Sequence, residues 1–302
     1  MDKLDVFVVS GVGVDTIVRV PTLDLPRVDS LFVPPIRRYV GHTGNGVALG
    51  CMALGLRTAF VDMIGDDPEG AFIRESYREK RLEFGYVTHP AGTRQSVILV
   101  DPEGRRMSFF DGRQPNDAVP DASLWRDGIA RSRHIHVSIM PWARHALADA
   151  IAAGKPTSTD LHDWDGTNPY HHDFAYGADI VFVSATALGD RVDDVLRDIL
   201  HRGRANVAVA TDGERGSHLA VRGEPIRRIP AITLPDRPVV DSNGAGDSYV
   251  AAFLATALRG GTYENAAIAG SIAGAYACGT EGTHTSFIDG ERLTREMATR
   301  VP

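Results

Sequence analysis

Apolar and polar residues alternate along this chain with two different periods, and the period predicts the element. Val6, Phe7, Val8 and Val9 form a short apolar run that stops at Ser10-Gly11-Val12-Gly13, as a buried strand does at a tight turn. Residues 17–20 alternate and end at Pro21, and residues 31–39 form another β-like piece broken by Pro34-Pro35. A glycine cluster, Gly41 to Gly46, leads into residues 47–56, whose small apolar side chains predict a closely packed helix. Residues 58–64 read as a strand. Asp67 suits an N-cap and Pro68 a first helical position, so a helix is expected from 68 to about 81. Strands at 95–100 and 106–110 flank Asp101-Pro102-Glu103-Gly104, a hairpin signal.

Farther along, strand and helix patterns take turns. Strands are expected at 134–139, 156–160, 179–184 and 206–211, and helices at 143–153, 190–202, 247–259 and 263–278. Such alternation predicts an α/β fold, a doubly wound, mainly parallel sheet with helices on both faces. The early β segments do not fit it. Segments of about 14–40 and 93–112 are therefore assigned to a small β-sheet lid, inserted in one domain spanning 1–302.

Composition narrows the class. The 302 residues are 43% hydrophobic and 24% charged, ordinary for a soluble globular protein. A net charge of −7 gives no basic stripe for nucleic acid. The two cysteines, Cys51 and Cys278, form no CxxC pair, which fits a reducing cytoplasm. The first residues carry no signal-peptide pattern, and no stretch reaches the roughly 18 apolar residues that span a membrane. A cytoplasmic protein with no membrane or nucleic-acid partner is expected.

The chemistry concentrates at Asp241-Ser242-Asn243-Gly244-Ala245-Gly246-Asp247. This is a glycine-rich turn opening a helix. Gly244 and Gly246 let the backbone approach a ligand, and the free N–H groups of the helix start favour an anion. Asp247 stands at the same spot. A carboxylate beside an anion hole suits a base that takes the proton of a hydroxyl attacking a phosphoryl group. The plainer reading is an N-cap Asp after a Gly turn.

The run resembles the C-terminal signature of the PfkB, or ribokinase-like, carbohydrate kinases, Asp-Thr-x-Gly-Ala-Gly-Asp, with Ser242 at the second place. Gly41 to Ala48 stands where that family has its Gly-Gly signature. Residues Gly65 to Gly70 look like its Gly-x-Asp-x-x-Gly block, and Thr211 to Gly216 like its Thr-x-Gly-x-x-Gly nucleotide loop. The resemblance covers nearly the whole chain. It implies an ATP-dependent kinase acting on a hydroxyl of a small sugar-like substrate. Asp247 would be the base, and the Gly244, Ala245 and Gly246 amides the anion hole. Asp15, Gly41, His42, Asn45, Gln95 and Asp160 would bind substrate. Thr211, Gly213, Gly216, Asn243 and Ala273 would bind ATP with Mg²⁺; the resemblance implies no dedicated protein metal site. Dimers through lid edges are common in that family. The sequence leaves dimerisation and activation by a monovalent cation open.

Several positions depart from the family pattern. His42 replaces the second glycine, and is expected either to contact the substrate or to fill space in the loop. Gly46 replaces an Asn that usually contacts sugar, so that either Asn45 next door substitutes for it or a one-residue shift moves the loop. Ser184 and Ala187 stand where relatives carry Asn-x-x-Glu, which helps organise Mg²⁺ and phosphate. His162 takes the Asn place in an Asp-x-Asn block led by Asp160. Arg94, Arg105 and Arg106 on or beside the lid suggest either a bound phosphate or a solvated hairpin face. Two rivals stay open: a nucleoside kinase of the same fold, with Tyr39, Phe109, Phe110 or Trp142 stacking on a base, and a non-catalytic ligand sensor. Gly11-Val12-Gly13 lacks a third glycine and no Gly-Lys-Ser/Thr loop exists, so neither dinucleotide nor P-loop binding is expected. His134 with His136, and His162 with His171 and His172, read as packing or loop residues before metal ligands.

Overall fold

Val6 and Val8 enter one apolar cluster and Phe7 and Val9 another, so this first strand is covered on both faces. That is the position of a central strand in a parallel sheet, and it explains the unbroken apolar run. The computed structural model describes residues 3–300. In chain order its elements are β1 (Leu4–Val9), β2 (Gly13–Arg19), β3 (Arg37–Gly41), α1 (Thr43–Ala53), β4 (Thr58–Ile64), α2 (Pro68–Lys80), β5 (Glu83–Thr88), β6 (Arg94–Val100), β7 (Arg106–Asp111), α3 (Ser123–Arg131), β8 (Ser132–Ser138), α4 (Ala143–Ala152), β9 (Thr157–Asp160), α5 (His172–Gly177), β10 (Ile180–Ser184), α6 (Val192–Arg202), β11 (Val207–Thr211), β12 (Ser217–Val221), β13 (Arg227–Ile229), α7 (Ala245–Leu258), α8 (Tyr263–Ala277) and α9 (Gly290–Ala298).

Nine strands form the large sheet in the order β13-β12-β11-β10-β9-β8-β1-β4-β5. From β11 to β5 every neighbour is parallel, and β12 and β13 add an antiparallel edge. The chain leaves β1 toward β4 and β5, then returns to build β8 onward on the other side. The direction of winding thus reverses between β1 and β8, where such sheets open a crevice at their strand ends. Helices α1, α7 and α8 cover one face and α3 to α6 the other. A second sheet, β3-β2-β6-β7, stands apart; β2 and β6 are parallel and its other pairs antiparallel. The ribokinase-like α/β fold with a small lid sheet expected from the sequence is what forms.

Differences have local causes. The expected β piece at 31–39 pairs only over Arg37–Gly41, since Pro34 and Pro35 offer no N–H. Helix α1 starts at Thr43 rather than 47, taking the glycine cluster into its first turn. Helix α2 ends with Arg81 as a left-handed cap. The sequence reading passed over β5, whose apolar run is broken by Gly85, and the short β12 and β13. It also passed over α3, α5 and α9, all three shorter than ten residues.

Candidate active site

The turn before α7 is folded by one buried carboxylate. Asp241 Oδ1 accepts from the Asn243 amide N–H at 3.0 Å and from Asn243 Nδ2 at 2.7 Å. Its Oδ2 accepts from the Gly282 N–H and from Arg19 Nη2, each at 3.2 Å. The chain can then turn at Gly244, whose φ of 77° suits glycine, and α7 begins at Ala245. Asp247 lies in the first turn of α7, beside N–H groups that helices leave without intrahelical partners. A Cβ built on Gly246 would meet nothing within 4 Å, so the space at this helix start is open. The Ala245 N–H is turned to the Ser242 carbonyl at 3.3 Å, which leaves it less free for an anion than the sequence suggested.

Asp247 has a partner the sequence reading missed. His284 Nε2 lies 2.7 Å from Asp247 Oδ2, and the imidazole is 2% exposed. Asn45 Nδ2 contacts His284 Nδ1 at 3.0 Å and donates to the Val40 carbonyl at 2.9 Å, while Tyr77 donates to Asn45 Oδ1 at 3.0 Å. Every polar group of the Asn45 side chain is therefore engaged within the protein, so the expected contact of Asn45 with substrate is replaced by a contact with His284. The nearest signal in the sequence was Gly46. A Cβ there would sit 2.3 Å from His284 Nε2 and 2.4 Å from Asp247 Cβ, so the ring occupies the room a larger residue 46 would need.

The small sheet faces this point with one row of side chains. The pairings Tyr39–Asp15, Asp15–Ser96 and Ser96–Phe110 put these four residues on one face. Gln95 pairs with Val14 and Asp111 instead, and points to the opposite face. The period of two thus moves the expected substrate contact from Gln95 to Ser96. His42 crosses the row, with Nε2 3.1 Å from Ser96 Oγ and 3.3 Å from Asp15 Oδ1, and its ring centroid 5.5 Å from that of Phe110. Its backbone, at φ 67° and ψ 158°, lies in a region that glycine favours. A Cβ on Gly41 would fall 2.0 Å from Asp15 Oδ2, so Gly41 makes room for the carboxylate. Burial pushes the Asp15 carboxyl up, but the hydrogen bond and charge of His42 outweigh it and hold the group below the usual carboxylate range. Asp15 Oδ1 is buried with His42 Nε2 beside it at 3.3 Å, and a carboxylate oxygen so placed has a further lone pair to offer a hydroxyl.

Asp160 ends β9 and accepts from the His162 N–H at 2.9 Å. Burial raises its pKa, opposed by His162 and assisted by the negative charges of Asp247 and Asp163, so Asp160 and Asp247 feel one another. His162 Nε2 meets Thr43 Oγ1 at 3.0 Å, fastening this strand end to α1. Arg94 is a structural residue. It is 1% exposed and pairs with Asp62 at 2.7 Å and with Gln114. Burial pushes the Asp62 carboxyl up to about 6 against the pull of Arg94 and the Val12 and Met63 amides. Arg105 pairs with Asp101 at the hairpin turn.

On the nucleotide side, Thr211 closes β11 and the loop turns back so that the Asp212 N–H reaches the Gly216 carbonyl at 2.8 Å. Gly216, at φ 92°, has no room for a Cβ, which would lie 2.0 Å from the Ile229 carbonyl; beside Gly213 the space is open. Asn243 is 4% exposed and accepts from Arg106 Nη1 at 2.7 Å, so β7 touches the turn before α7. Ala273 is 2% exposed and packs in the core formed with α7 and α8. Ser184 ends β10 and bonds Thr186. His134 and His136 both bond Ser158 inside the core, and His171 stacks on Trp164. Among the described residues no group of three or more His, Cys, Asp or Glu could hold a metal ion.

Known proteins resemble this arrangement closely. The profile of the pfkB family carbohydrate kinases matches residues 32–289. An acarbose 7(IV)-phosphotransferase of Actinoplanes sp. is 45% identical over 98% of this chain and 99% of its own. A fructokinase of Klebsiella pneumoniae is 30% identical over 80% of this chain and 85% of its own. Among solved structures, a microbiome-derived acarbose kinase, Mak1, superposes with a TM-score of 0.93 at 58% identity, covering 98% of this chain and 99% of that one. A ribokinase of Arabidopsis thaliana, at 19% identity and a TM-score of 0.82, shares the fold over 98% of this chain and 99% of its own. With the signature turn, the nucleotide loop and the small sheet all in their expected order, the chain belongs to the pfkB family of carbohydrate kinases.

Proposed function

We propose that this kinase phosphorylates acarbose or a closely related multi-ring sugar, with Asp247 as the general base. The observation that carries the reading of the substrate is the similarity to two acarbose kinases over nearly full length, at 45% and 58% identity. The locant in the name of the first puts its phosphate on a fourth ring, so its acceptor is longer than a monosaccharide. The site suits such a ligand. Phe110 lies in the row with Asp15 and Ser96 and is 63% exposed, an open aromatic surface on which a sugar ring can rest.

In this reading the sugar lies between the row of Asp15, Ser96 and Phe110 and the start of α7. Asp15 Oδ1 accepts from a sugar hydroxyl, and His42 bonds a second one. Asp247 takes the proton of the hydroxyl that attacks the terminal phosphorus of ATP. The first-turn amides of α7, Gly246 foremost, hold the negative charge that grows on the transferred group. Thr211, Gly213 and Gly216 line the ATP side. Mg²⁺ would arrive on the nucleotide phosphates, on which that ion commonly leans. Asn243 fixes the turn and its contact with β7, in place of a direct role with ATP. Strand β7 is exposed along its whole length at the edge of the small sheet, and supports the reading of a homodimer through that edge.

The test is ADP release by the purified protein with Mg·ATP, across acarbose, malto-oligosaccharides, fructose, ribose and nucleosides. Turnover greatest on acarbose, and lowered on the order of a thousandfold or more in Asp247→Asn, is the expected result. Turnover confined to monosaccharides or nucleosides would overturn the substrate assignment, and an active Asp247→Asn would overturn the base.

A further inference from the structure

The contacts around His284 leave only one way to place its protons. The Val40 carbonyl can only accept, so the side of Asn45 facing it at 2.9 Å is the amide nitrogen. Tyr77 donates to the other side, the amide oxygen, and so locks this orientation. The second Asn45 N–H then points at His284 Nδ1, 3.0 Å away, and Nδ1 must accept it. The ring proton is left on Nε2, which faces Asp247 Oδ2 at 2.7 Å. From these contacts we infer that His284 is a positioning residue for phosphoryl transfer: its Nε2–H holds Asp247 Oδ2, and leaves Oδ1 as the oxygen that takes the substrate proton.

The surroundings hold the ring in that role. Gly46 and Gly244 press on it from two sides; a Cβ on either would fall within 2.6 Å of a ring atom. Phe287 stacks along it with centroids 6.1 Å apart. The His284 backbone sits at φ 54°, a left-handed conformation uncommon for a side chain other than glycine, asparagine or aspartate. The acidic groups that face the ring are Asp247 from α7 and Asp15 from β2. Asn45 gives Nδ1 a donor, so a second proton on the ring would meet an N–H instead of an acceptor. His284 therefore acts as a fixed neutral donor and carries no proton away from the reaction. It settles which carboxylate oxygen points at the substrate, and along which direction.

The inference rests on Asp247 as the base, and the experiment separates the two. His284→Ala, His284→Gln and Asp247→Asn are compared with the parent at saturating sugar and ATP, with both KM values measured. Positioning predicts that His284→Ala lowers kcat on the order of 10- to 100-fold, as small misplacements at reacting centres do, with both KM values within about twofold. His284→Gln, which keeps an N–H within reach of Asp247, recovers part of the loss. In the parent, ¹⁵N-histidine NMR is expected to show the His284 ring neutral and protonated on Nε2. A His284→Ala kcat within twofold of the parent, beside an inactive Asp247→Asn, would overturn the positioning role and leave the base standing. An active Asp247→Asn would instead remove the base. Should His284→Ala fail to fold, the Gln variant and the NMR spectrum decide, and a proton on Nδ1 overturns the inference.

Discussion

His42 holds a backbone conformation that glycine adopts freely and other residues adopt at a cost of order 1–3 kcal/mol. The signature this stretch resembles has glycine there, and here an imidazole stands in its place. Its Nε2 lies within reach of Ser96 and Asp15, the two polar groups of the sugar-facing row. His42→Gly is expected to raise stability by about 1 kcal/mol in urea denaturation, because strain is relieved. The same change is expected to raise the KM for sugar roughly five- to tenfold, about the worth of one hydrogen bond. Greater stability with an unchanged KM would mean that the ring only fills space. Residues of this kind divide sharply in how well the sequence announces them. Asp241 to Asp247 could be read because the turn, the glycines and the base are contiguous. Asn45 and His284 could not, because each takes its meaning from the other. Ser96, and not the expected Gln95, shares the face of Asp15, because a strand's register is set by its neighbours, which the sequence alone does not supply.

At the level of elements, the small sheet is fastened to the start of α7 at two points. Arg19 from β2 reaches Asp241, and Arg106 from β7 reaches Asn243. Asp241 is 1% exposed and orders the whole turn through its amide contacts, so the Arg19 pair links the sugar-facing sheet to the phosphate-facing helix. Arg19→Ala leaves three amide donors on Asp241, and the turn should keep its shape. What is lost is the tie between the two elements. The expected result is a rise of about tenfold in sugar KM, equivalent to roughly 1.4 kcal/mol, with little change in melting temperature. A tenfold fall in kcat at unchanged KM would show instead that Arg19 acts on the turn. The elements themselves were legible wherever their period was clean, as in β4, whose bounds coincide with the expected 58–64. They were least legible at β12 and β13, where five and three residues carry too little pattern to separate strand from loop.

For the molecule as a whole, the winding of the large sheet was legible from the alternation of patterns, because a parallel sheet needs a crossover between strands. What covers each strand was not, and two histidines make the point. His134 and His136 lie in β8 at the centre of the sheet, where burial pushes their pKa values down to about 4 and about 3. Above pH 6.5 both rings are neutral whether the chain is folded or unfolded, and they add no pH dependence. Below pH 6.5 the unfolded chain takes up protons that the folded one refuses until about pH 4 and pH 3, so stability falls as the solution is acidified. Each ring contributes a slope of about 1.4 kcal/mol per pH unit in that window. Burial of Asp62 works in the opposite direction between pH 6 and 3.8, so the total slope is a poor measure. The difference between parent and His136→Gln is a good one. Urea midpoints taken from pH 7 to pH 4 should show the variant losing stability less steeply, by about that slope, and parallel curves would mean that His136 is not buried neutral.

The bond between Asn45 and His284 joins residues 239 positions apart, and this has a consequence in time. Closing so long a loop must be achieved before the contact returns anything, and contacts of that kind come late when a chain folds. A collapsed chain that has not made this closure lacks the ring that orients the base, so on dilution from urea activity is expected to return with the joining of these two distant segments and not before it.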